Sequence, residues 1–291
     1  MHTIGFVGLG VMGASMARRL MAAGYSLRVF TRTRSKAEAL LEQGAKWCES
    51  PGQVAENADA VLSIVGYPAD VESVYLGPDA IVDRAIPGTL LVDMTTSSPE
   101  LALRIAAAAK GRGLDALDAP VSGGDIGARE GRLSIMVGGP KPAFDRLMPV
   151  FEAMGQNVVW QGEAGAGQHT KMCNQIAIAS GMLGVTEALV YAKKSGLDPE
   201  KVLKSIASGA AGSWSLTNLA PRVLKEDFAP GFFVKHFIKD VSIALESAES
   251  MGTILPGLAL AKRLYEILAE NGGENDGTQA LIRAYEAGWI A

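Results

Sequence analysis

The pattern of hydrophobic and polar positions changes near the middle of the chain. Over residues 1–162, short apolar runs, such as those at 3–7 and 27–30, alternate with helical periodicity. This alternation is typical of a parallel sheet with helices on both faces. Beyond residue 163 only helical patterns follow, at residues 168–195, 199–207, 216–225, 239–251, 255–271 and 279–287. The sequence predicts an α/β fold: a Rossmann-type doubly wound sheet domain over residues 1–162 and an all-helical domain over 163–291, built around a long interdomain helix.

The first apolar run leads directly into a glycine-rich turn and a helix. The turn reads Gly8-Leu9-Gly10-Val11-Met12-Gly13. The first glycine permits the tight turn, the second lets a pyrophosphate approach the backbone, and the third allows the helix to pack on the strand. The helix N-terminus then faces the phosphates. This context predicts a dinucleotide site, although a ligand-free glycine turn would read similarly.

The end of the second apolar run indicates which nicotinamide cofactor is bound. An NAD site normally places an acid there, against the ribose hydroxyls. This chain instead has Thr31-Arg32-Thr33. A guanidinium can bind a 2′-phosphate through paired, charge-assisted hydrogen bonds, and the threonines add hydroxyl donors. NADP is therefore expected to be preferred over NAD, with a solvated basic loop as the alternative.

Three further loops follow predicted strands, whose carboxyl ends are where ligands bind in such sheets. Gly66 and Tyr67 occupy one loop and Thr96 another, and both loops are expected to face the cofactor. The third loop contains Ser122-Gly123-Gly124, whose hydroxyl and main-chain amides suit a carboxylate. An ordinary turn would have the same composition.

The longest helical run begins with a cation and two amides on one face. Helical spacing brings Lys171, Asn174 and Gln175 together, since residues three and four apart are neighbours. Carbonyl reduction builds negative charge on oxygen, which an ammonium can stabilise and protonate. A partly desolvated cleft would lower the pKa of a lysine towards working pH. A solvated lysine is the simpler alternative, and His169 and His236 are competing acids.

Composition narrows the range of partners. A net charge of -4 without a basic run gives no electrostatic footprint for nucleic acid. No stretch reaches about 18 uninterrupted apolar residues, so no membrane span is expected. Cys48 and Cys173 form no metal-binding cluster, and we expect no metal. The N-terminal residues show a strand pattern and no secretory signal, which favours a cytoplasmic protein. Its partners are expected to be small molecules.

Four segments, in this order, resemble the β-hydroxyacid dehydrogenases. They are the turn at residues 8–13, the segments 118–124 and 165–174, and Lys239-Asp240. The resemblance covers essentially the whole chain. That family includes 3-hydroxyisobutyrate dehydrogenase, tartronate semialdehyde reductase and the glyoxylate/succinic semialdehyde reductases. It implies hydride transfer between NAD(P)H and a small carboxylic acid bearing an aldehyde or alcohol.

The resemblance also implies roles for individual residues. Lys171 would be the catalytic residue, Ser122, Gly123 and Gly124 would hold the substrate carboxylate, and Asn174 would assist. Thr96 and Lys239 would contact the cofactor, while Phe232 and Asp240 match further positions near the active site. Gln175 stands where many members have a second asparagine, which leaves the particular hydroxyacid or semialdehyde open.

The sequence leaves three other functions open. They are an imine reductase-like or 6-phosphogluconate dehydrogenase-like NADP enzyme, and a non-catalytic NADP-binding scaffold. The intact Lys171 disfavours the imine reductase and the scaffold. Gly181, Gly184 and Ala188 would let another helix approach closely, which suits either domain swapping of contacts or an oligomer. A homodimer or homotetramer is expected.

Overall fold

The computed structural model describes residues 1–290 and divides into two compact units, Met1–Lys171 and the part from Met172 onward. The strands are β1 Thr3–Val7, β2 Ser26–Phe30, β3 Lys46–Trp47, β4 Ala60–Ser63, β5 Leu90–Asp93, β6 Asp115–Asp118, β7 Val121–Ser122, β8 Leu133–Gly138 and β9 Gly155–Gly162. The helices of the first unit are α1 Val11–Ala22, α2 Glu38–Leu41, α3 Pro51–Ala55, α4 Pro68–Leu76, α5 Ile81–Arg84, α6 Pro99–Lys110, α7 Gly124–Glu130 and α8 Lys141–Glu152.

The nine strands form one sheet in the order β3-β2-β1-β4-β5-β6-β8-β7, with β9 paired to β8. The first six strands in this order, β3-β2-β1-β4-β5-β6, are parallel. Strand β8 runs antiparallel to both β6 and β7. The predicted doubly wound α/β fold is confirmed. The antiparallel end of the sheet differs from the expected all-parallel alternation, since β7 and β8 are joined through the short helix α7 rather than through a crossover.

Apolar side chains on alternate strand positions build a core on each face of this sheet. Ile4 and Phe6 of β1 belong to one cluster and Val7 to the other. Leu62 and Val61 of β4 separate in the same way, because successive strand residues point to opposite faces. The carboxyl ends of β1, β4, β5 and β6 therefore lie at one edge, where the loops predicted to bind ligands begin.

The second unit is helical. The helix α9, Ala166–Lys194, starts in the first unit and continues into the second. It is followed by α10 Pro199–Ile206, α11 Trp214–Asn218, α12 Ala220–Leu224, α13 Val234–Ser250, α14 Pro256–Leu268 and α15 Ile282–Glu286. Phe237 and Tyr265 pack edge to face at 4.9 Å in its core. By length and apolar composition alone, α9 would also qualify as a membrane span.

Some predicted boundaries differ from the structure. The single helix expected over residues 216–225 is two helices, because Pro221 has no N–H to continue the ladder and instead lies in the first turn of α12. The helix expected from residue 239 begins at Val234. Helix α7 was not predicted at all. The strand β9 ends at Gly162, the residue where the first domain was predicted to close, while the contact division falls later, within α9.

Candidate active site

The turn between β1 and α1 shows three glycines with three different surroundings. Gly8 has a φ of 95°, and a Cβ there would lie 2.1 Å from the carbonyl oxygen of Ile64. A Cβ on Gly13 would lie 1.9 Å from the carbonyl oxygen of Gly8. A Cβ on Gly10 would meet no atom within 4 Å. Gly8 and Gly13 are thus required by packing, whereas Gly10 keeps open space beside the backbone.

That open space fits a dinucleotide pyrophosphate. Gly10 is the residue preceding α1, and no side chain caps the main-chain N–H groups of the first helical turn. These donors and the positive end of the helix dipole are the features that bind phosphate at helix N-termini. Within the turn, the Leu9 side chain is buried in the core, Met12 packs against it, and Val11 is exposed. The residues present therefore fit the cofactor predicted from the sequence.

The loop after β2 carries the guanidinium expected to contact the cofactor. Thr31 is half-buried, Arg32 and Thr33 are exposed, and the Arg32 side chain is 80% accessible. Its Nη1 lies 2.9 Å from Asp70 Oδ1 on α4, in an ion pair that the sequence did not suggest. Arg34 packs over the Trp47 ring at 5.2 Å and lies 3.9 Å from Glu49. Of the two arginines that follow β2, Arg32 is thus the one whose guanidinium does not pack on the Trp47 ring.

The loops after β4 and β5 are held by a buried polar network. Asp93 Oδ1 accepts hydrogen bonds from the Ser63 hydroxyl and from the main-chain N–H of Thr95, each at 3.0 Å. The Thr95 hydroxyl accepts from the N–H of Val65 at 2.9 Å. Burial raises the pKa of Asp93 to about 6, and the neighbouring Asp118 carboxylate adds to the rise. Thr95 therefore holds the loops after β4 and β5 together. Thr96, the neighbouring residue predicted to contact the cofactor, is half-buried.

The first turn of α9 is anchored to the ends of β5 and β6. The buried Asp118 carboxylate accepts from the N–H groups of Gly165 and Gln168, both at 2.7 Å. Burial raises the pKa of Asp118, while these hydrogen bonds oppose the rise. The fully buried Gln168 side chain accepts from Ser97 N–H at 3.0 Å and donates to the Thr95 carbonyl at 2.8 Å. Four hydrogen bonds thus fix the start of this helix within the first unit.

Lys171 follows Gln168 by three residues on α9 and is 6% exposed. Helical spacing therefore places the ammonium-bearing side chain one turn after the anchored residue. A buried lysine is unusual, since long charged side chains are mostly exposed. Of the competing acids, His169 is exposed on the same helix. His236 is half-buried, and burial lowers its pKa, as does the charge of Lys239.

The segment predicted to hold a carboxylate has a conformation that depends on glycine. Ser122 ends β7 and is half-buried. Gly123 has a φ of 134° and precedes helix α7, and Gly124 has a φ of 63° and begins it. Side chains with a Cβ rarely adopt these conformations, so the glycines are needed to turn the chain from strand to helix. Their main-chain amides lie at the start of α7 without a side-chain cap.

In the second unit, three predicted site residues form a hydrogen-bonded series, and a fourth, Lys239, forms an ion pair with its last member. The Asn174 amide donates to Gln175 Oε1 at 2.7 Å, and Gln175 Nε2 donates to Asp240 Oδ2 at 2.6 Å. Lys239 Nζ lies 2.8 Å from Asp240 Oδ1, an ion pair without hydrogen-bond geometry. Gln175 and Asp240 are buried. Gln175, which has a longer side chain than the asparagine found there in many family members, is thus the residue that contacts the Asp240 carboxylate.

Phe232 is the remaining residue predicted in this unit. Its ring is 37% exposed and packs edge to face on the buried Phe237 at 6.0 Å. Within the described residues 1–290, no group of three or more His, Cys, Asp or Glu side chains could hold a metal.

Several residues of the site were not found from the sequence. Asp118 and Gln168 contact partners roughly fifty to seventy residues away in the chain, so no local pattern indicates their roles. Asp70 did carry a signal, because an acid in the first turn of a helix that begins with proline is a common N-terminal feature. That signal predicts a helix start and not a contact with Arg32.

The doubly wound sheet, the glycine turn and the uncapped helix behind it define a dinucleotide-binding protein of the Rossmann type. Comparison with known proteins agrees. Residues 3–162 match the family described as the NAD binding domain of 6-phosphogluconate dehydrogenase. Residues 165–285 match the family described as NAD-binding of NADP-dependent 3-hydroxyisobutyrate dehydrogenase.

Relatives match along nearly the whole chain. An uncharacterized oxidoreductase of Bacillus subtilis is 60% identical over 97% of this chain and 98% of its own. The 2-hydroxy-3-oxopropionate reductase of Escherichia coli is 41% identical over 97% of both chains. The 3-hydroxyisobutyrate dehydrogenase of Pseudomonas aeruginosa is 40% identical over 95% of both chains.

A solved structure agrees in fold. The 3-hydroxyisobutyrate dehydrogenase of Mycobacterium tuberculosis, determined with L-serine, superposes with a TM-score of 0.90 at 31% identity, covering 98% of this chain and 99% of that one. The chain belongs to the β-hydroxyacid dehydrogenase family. It is an NAD(P)-dependent oxidoreductase that acts on CH–OH groups, which confirms the predicted enzyme and argues against the non-catalytic scaffold.

Proposed function

We propose that this enzyme interconverts a small β-hydroxyacid and its semialdehyde, with NADP preferred over NAD and Lys171 as the general acid and base. The observation that carries the proposal is the buried Lys171, one turn beyond a helix start that Asp118 and Gln168 hold by hydrogen bonds. A proton donor must be held in one place to serve a reacting oxygen, and a fixed helix start supplies that rigidity.

The chemistry needed from the protein is small. The reduced nicotinamide, when bound, supplies a hydride to the carbonyl carbon. As the carbonyl oxygen becomes an alkoxide, the Lys171 ammonium stabilises its charge and gives it a proton. In the oxidation direction, the neutral Lys171 amine removes the hydroxyl proton. Ser122 and the main-chain amides of Gly123 and Gly124 bind the substrate carboxylate.

Turnover measurements test this role. Lys171→Ala is expected to lower kcat by roughly a hundred- to ten thousandfold, the usual contribution of a proton-transfer group, with nearly unchanged cofactor affinity. Lys171→Arg should also be poor, because guanidinium keeps the charge but does not release its proton near neutral pH. Lys194→Ala, an exposed lysine on the same helix, is the matched control. A Lys171→Ala enzyme that keeps more than about a tenth of its turnover would place the catalytic role elsewhere.

The substrate is to be found by screening. Relatives named for two different substrates are 41% and 40% identical to this chain, so similarity does not separate them. Glyoxylate, succinic semialdehyde, tartronate semialdehyde and methylmalonate semialdehyde are the compounds to compare with NADPH. The physiological substrate should give the highest kcat/KM, and activity on none of the four would contradict the proposed substrate class.

The preference for NADP rests on Arg32, which remains exposed at the end of β2 while Arg34 packs on Trp47. A match to a family described as NADP-dependent supports it. Arg32→Ala is expected to weaken NADPH binding by roughly ten- to a hundredfold, since each hydrogen bond to a charged group contributes about 1.5 to 3 kcal/mol. Arg34→Ala should have little effect. Equal binding of NADH and NADPH by the wild type would refute the preference.

We also propose a homodimer or homotetramer that uses the exposed side of α9. A Cβ on Gly181 or Gly184 would meet no atom within 4 Å, and Tyr191 is 73% exposed. Small residues at this spacing let a second helix approach closely. Light scattering on the purified enzyme would give the mass, and a monomer would contradict the proposal.

A further inference from the structure

A single carboxylate connects two of the loops assigned to the cofactor. Asp70 is the third residue of α4, and its two oxygens have different partners. Oδ1 accepts a hydrogen bond from Arg32 Nη1 at 2.9 Å, and Oδ2 accepts one from the main-chain N–H of Tyr67 at 3.2 Å. Asp70 thus contacts both the loop after β2 and the loop after β4, all within the first unit.

Because the Asp70 carboxylate contacts Arg32, it affects which cofactor this site prefers. In an NAD site, an acid at the end of β2 faces the ribose hydroxyls. That acid is absent here, but α4 brings Asp70 to the guanidinium that would bind a 2′-phosphate. The Asp70 side chain is 23% exposed, so its charge is only partly screened by water. A phosphate carrying about -1.5 to -2 charge must therefore compete with Asp70 for Arg32 and is also repelled by it.

The second arginine after β2 has other partners. Arg34, two residues further on, is directed to Trp47 and Glu49. The Asp70 carboxylate cannot readily turn away, because its second oxygen holds the first turn of α4 through Tyr67. The arrangement of Arg32 and Asp70 therefore balances a phosphate-binding cation against an anion that opposes the phosphate.

We propose that Asp70 is a cofactor-specificity residue, which reduces the preference for NADP that Arg32 creates and so keeps NADH usable. This inference rests on the proposed cofactor preference, because it concerns the size of the difference between the two cofactors. Asp70 acts on the phosphate and on Arg32, and it has no part in the reaction at Lys171.

Direct binding measurements test the proposal without turnover. NADPH and NADH are titrated into the wild type, Asp70→Asn and Glu72→Gln, following the fluorescence of the reduced nicotinamide. Asparagine keeps an oxygen to accept from Tyr67 N–H, removes the negative charge, and replaces the oxygen that accepts from Arg32 with an NH2 group. Glu72→Gln is the matched control, since Glu72 lies on the same helix and pairs with Arg104 at 2.5 Å. Circular dichroism and thermal unfolding verify that α4 is intact in each variant.

Asp70→Asn is expected to tighten NADPH binding by roughly three- to tenfold, the effect of one screened charge at close range, and to change NADH binding by less than about twofold. The gain should shrink in high salt. Glu72→Gln should change neither constant. Unchanged or weaker NADPH binding in Asp70→Asn would overturn the proposal, and so would an equal gain for both cofactors.

The outcomes also separate this inference from the proposed NADP preference. If the wild type binds NADH more tightly than NADPH, the proposed preference fails. A selective gain for NADPH in Asp70→Asn would still support the role of Asp70 in that case. If the wild type prefers NADPH and Asp70→Asn changes nothing, only the present inference fails.

Discussion

Gly10 and Gly13 lie three residues apart in the same turn, but the structure predicts different effects on stability for alanine at the two positions. A Cβ on Gly13 would lie 1.9 Å from the carbonyl oxygen of Gly8 and 2.9 Å from Ile64 Cγ2. The isoleucine methyl can rotate away, but the carbonyl belongs to a turn fixed by the hydrogen bond from Gly8 N–H to Phe30. A shift of more than 1 Å between β1 and α1 is therefore needed.

The magnitudes follow from these contacts. Alanine gains about 1 kcal/mol over glycine inside a helix, which is too little to offset overpacking against backbone. We expect Gly13→Ala to lose about 3 kcal/mol or more, or roughly 6 to 12 °C in Tm for a unit of this size. Gly10 has a φ of -74° and open space, so Gly10→Ala should stay within about 1 kcal/mol of the wild type.

Thermal unfolding without cofactor and NADPH titration together form the assay. Gly13→Ala should lose both stability and binding. Gly10→Ala should keep its Tm but bind NADPH at least about tenfold more weakly, because the methyl group occupies the space left for the pyrophosphate. Gly13→Ala with the wild-type Tm would refute the packing role assigned to that glycine. Gly10→Ala with wild-type NADPH affinity would show that the cofactor does not approach this part of the backbone.

Three further predictions concern the buried acids and the carboxylate segment. The folded pKa of Asp93, about 6, exceeds the unfolded value of about 3.9, so the native state holds an extra proton between these pH values. The residue therefore lowers the free energy of unfolding by about 2 kcal/mol as pH rises from 4 to 6. Asp93→Asn should therefore gain Tm relative to the wild type at pH 7.5 compared with pH 4.5; a constant difference would contradict this. Asp118→Asn should lower Tm and reduce kcat roughly tenfold, since its NH2 faces the N–H of Gly165 or Gln168, while the exposed Asp115→Asn should do neither. Ser122→Ala should lower kcat/KM by roughly tenfold for an aldehyde acid but not for an aldehyde without the carboxylate, and equal losses would make the segment structural.

The sequence alone determined the fold class and the cofactor turn. Alternating apolar runs, the spacing of Gly8, Gly10 and Gly13, and the helical patterns beyond residue 163 all express local rules of backbone geometry and periodicity. The family could be identified for the same reason, because its motifs are short continuous segments. The spacing of Lys171, Asn174 and Gln175 also follows from a single helix, α9, and needs no tertiary information.

The tertiary structure decided what those residues contact. Asp118 meets Gln168, Gln175 meets Asp240, and Arg32 meets Asp70, in pairs separated by 50, 65 and 38 residues. Periodicity carries no information about such pairs, since they form only when strands order themselves in a sheet or helices pack. The same holds for the antiparallel β8, whose direction is set by its packing against β6 and β7. Local sequence thus fixed the elements, while long-range packing fixed the charges and hydrogen bonds on which specificity depends.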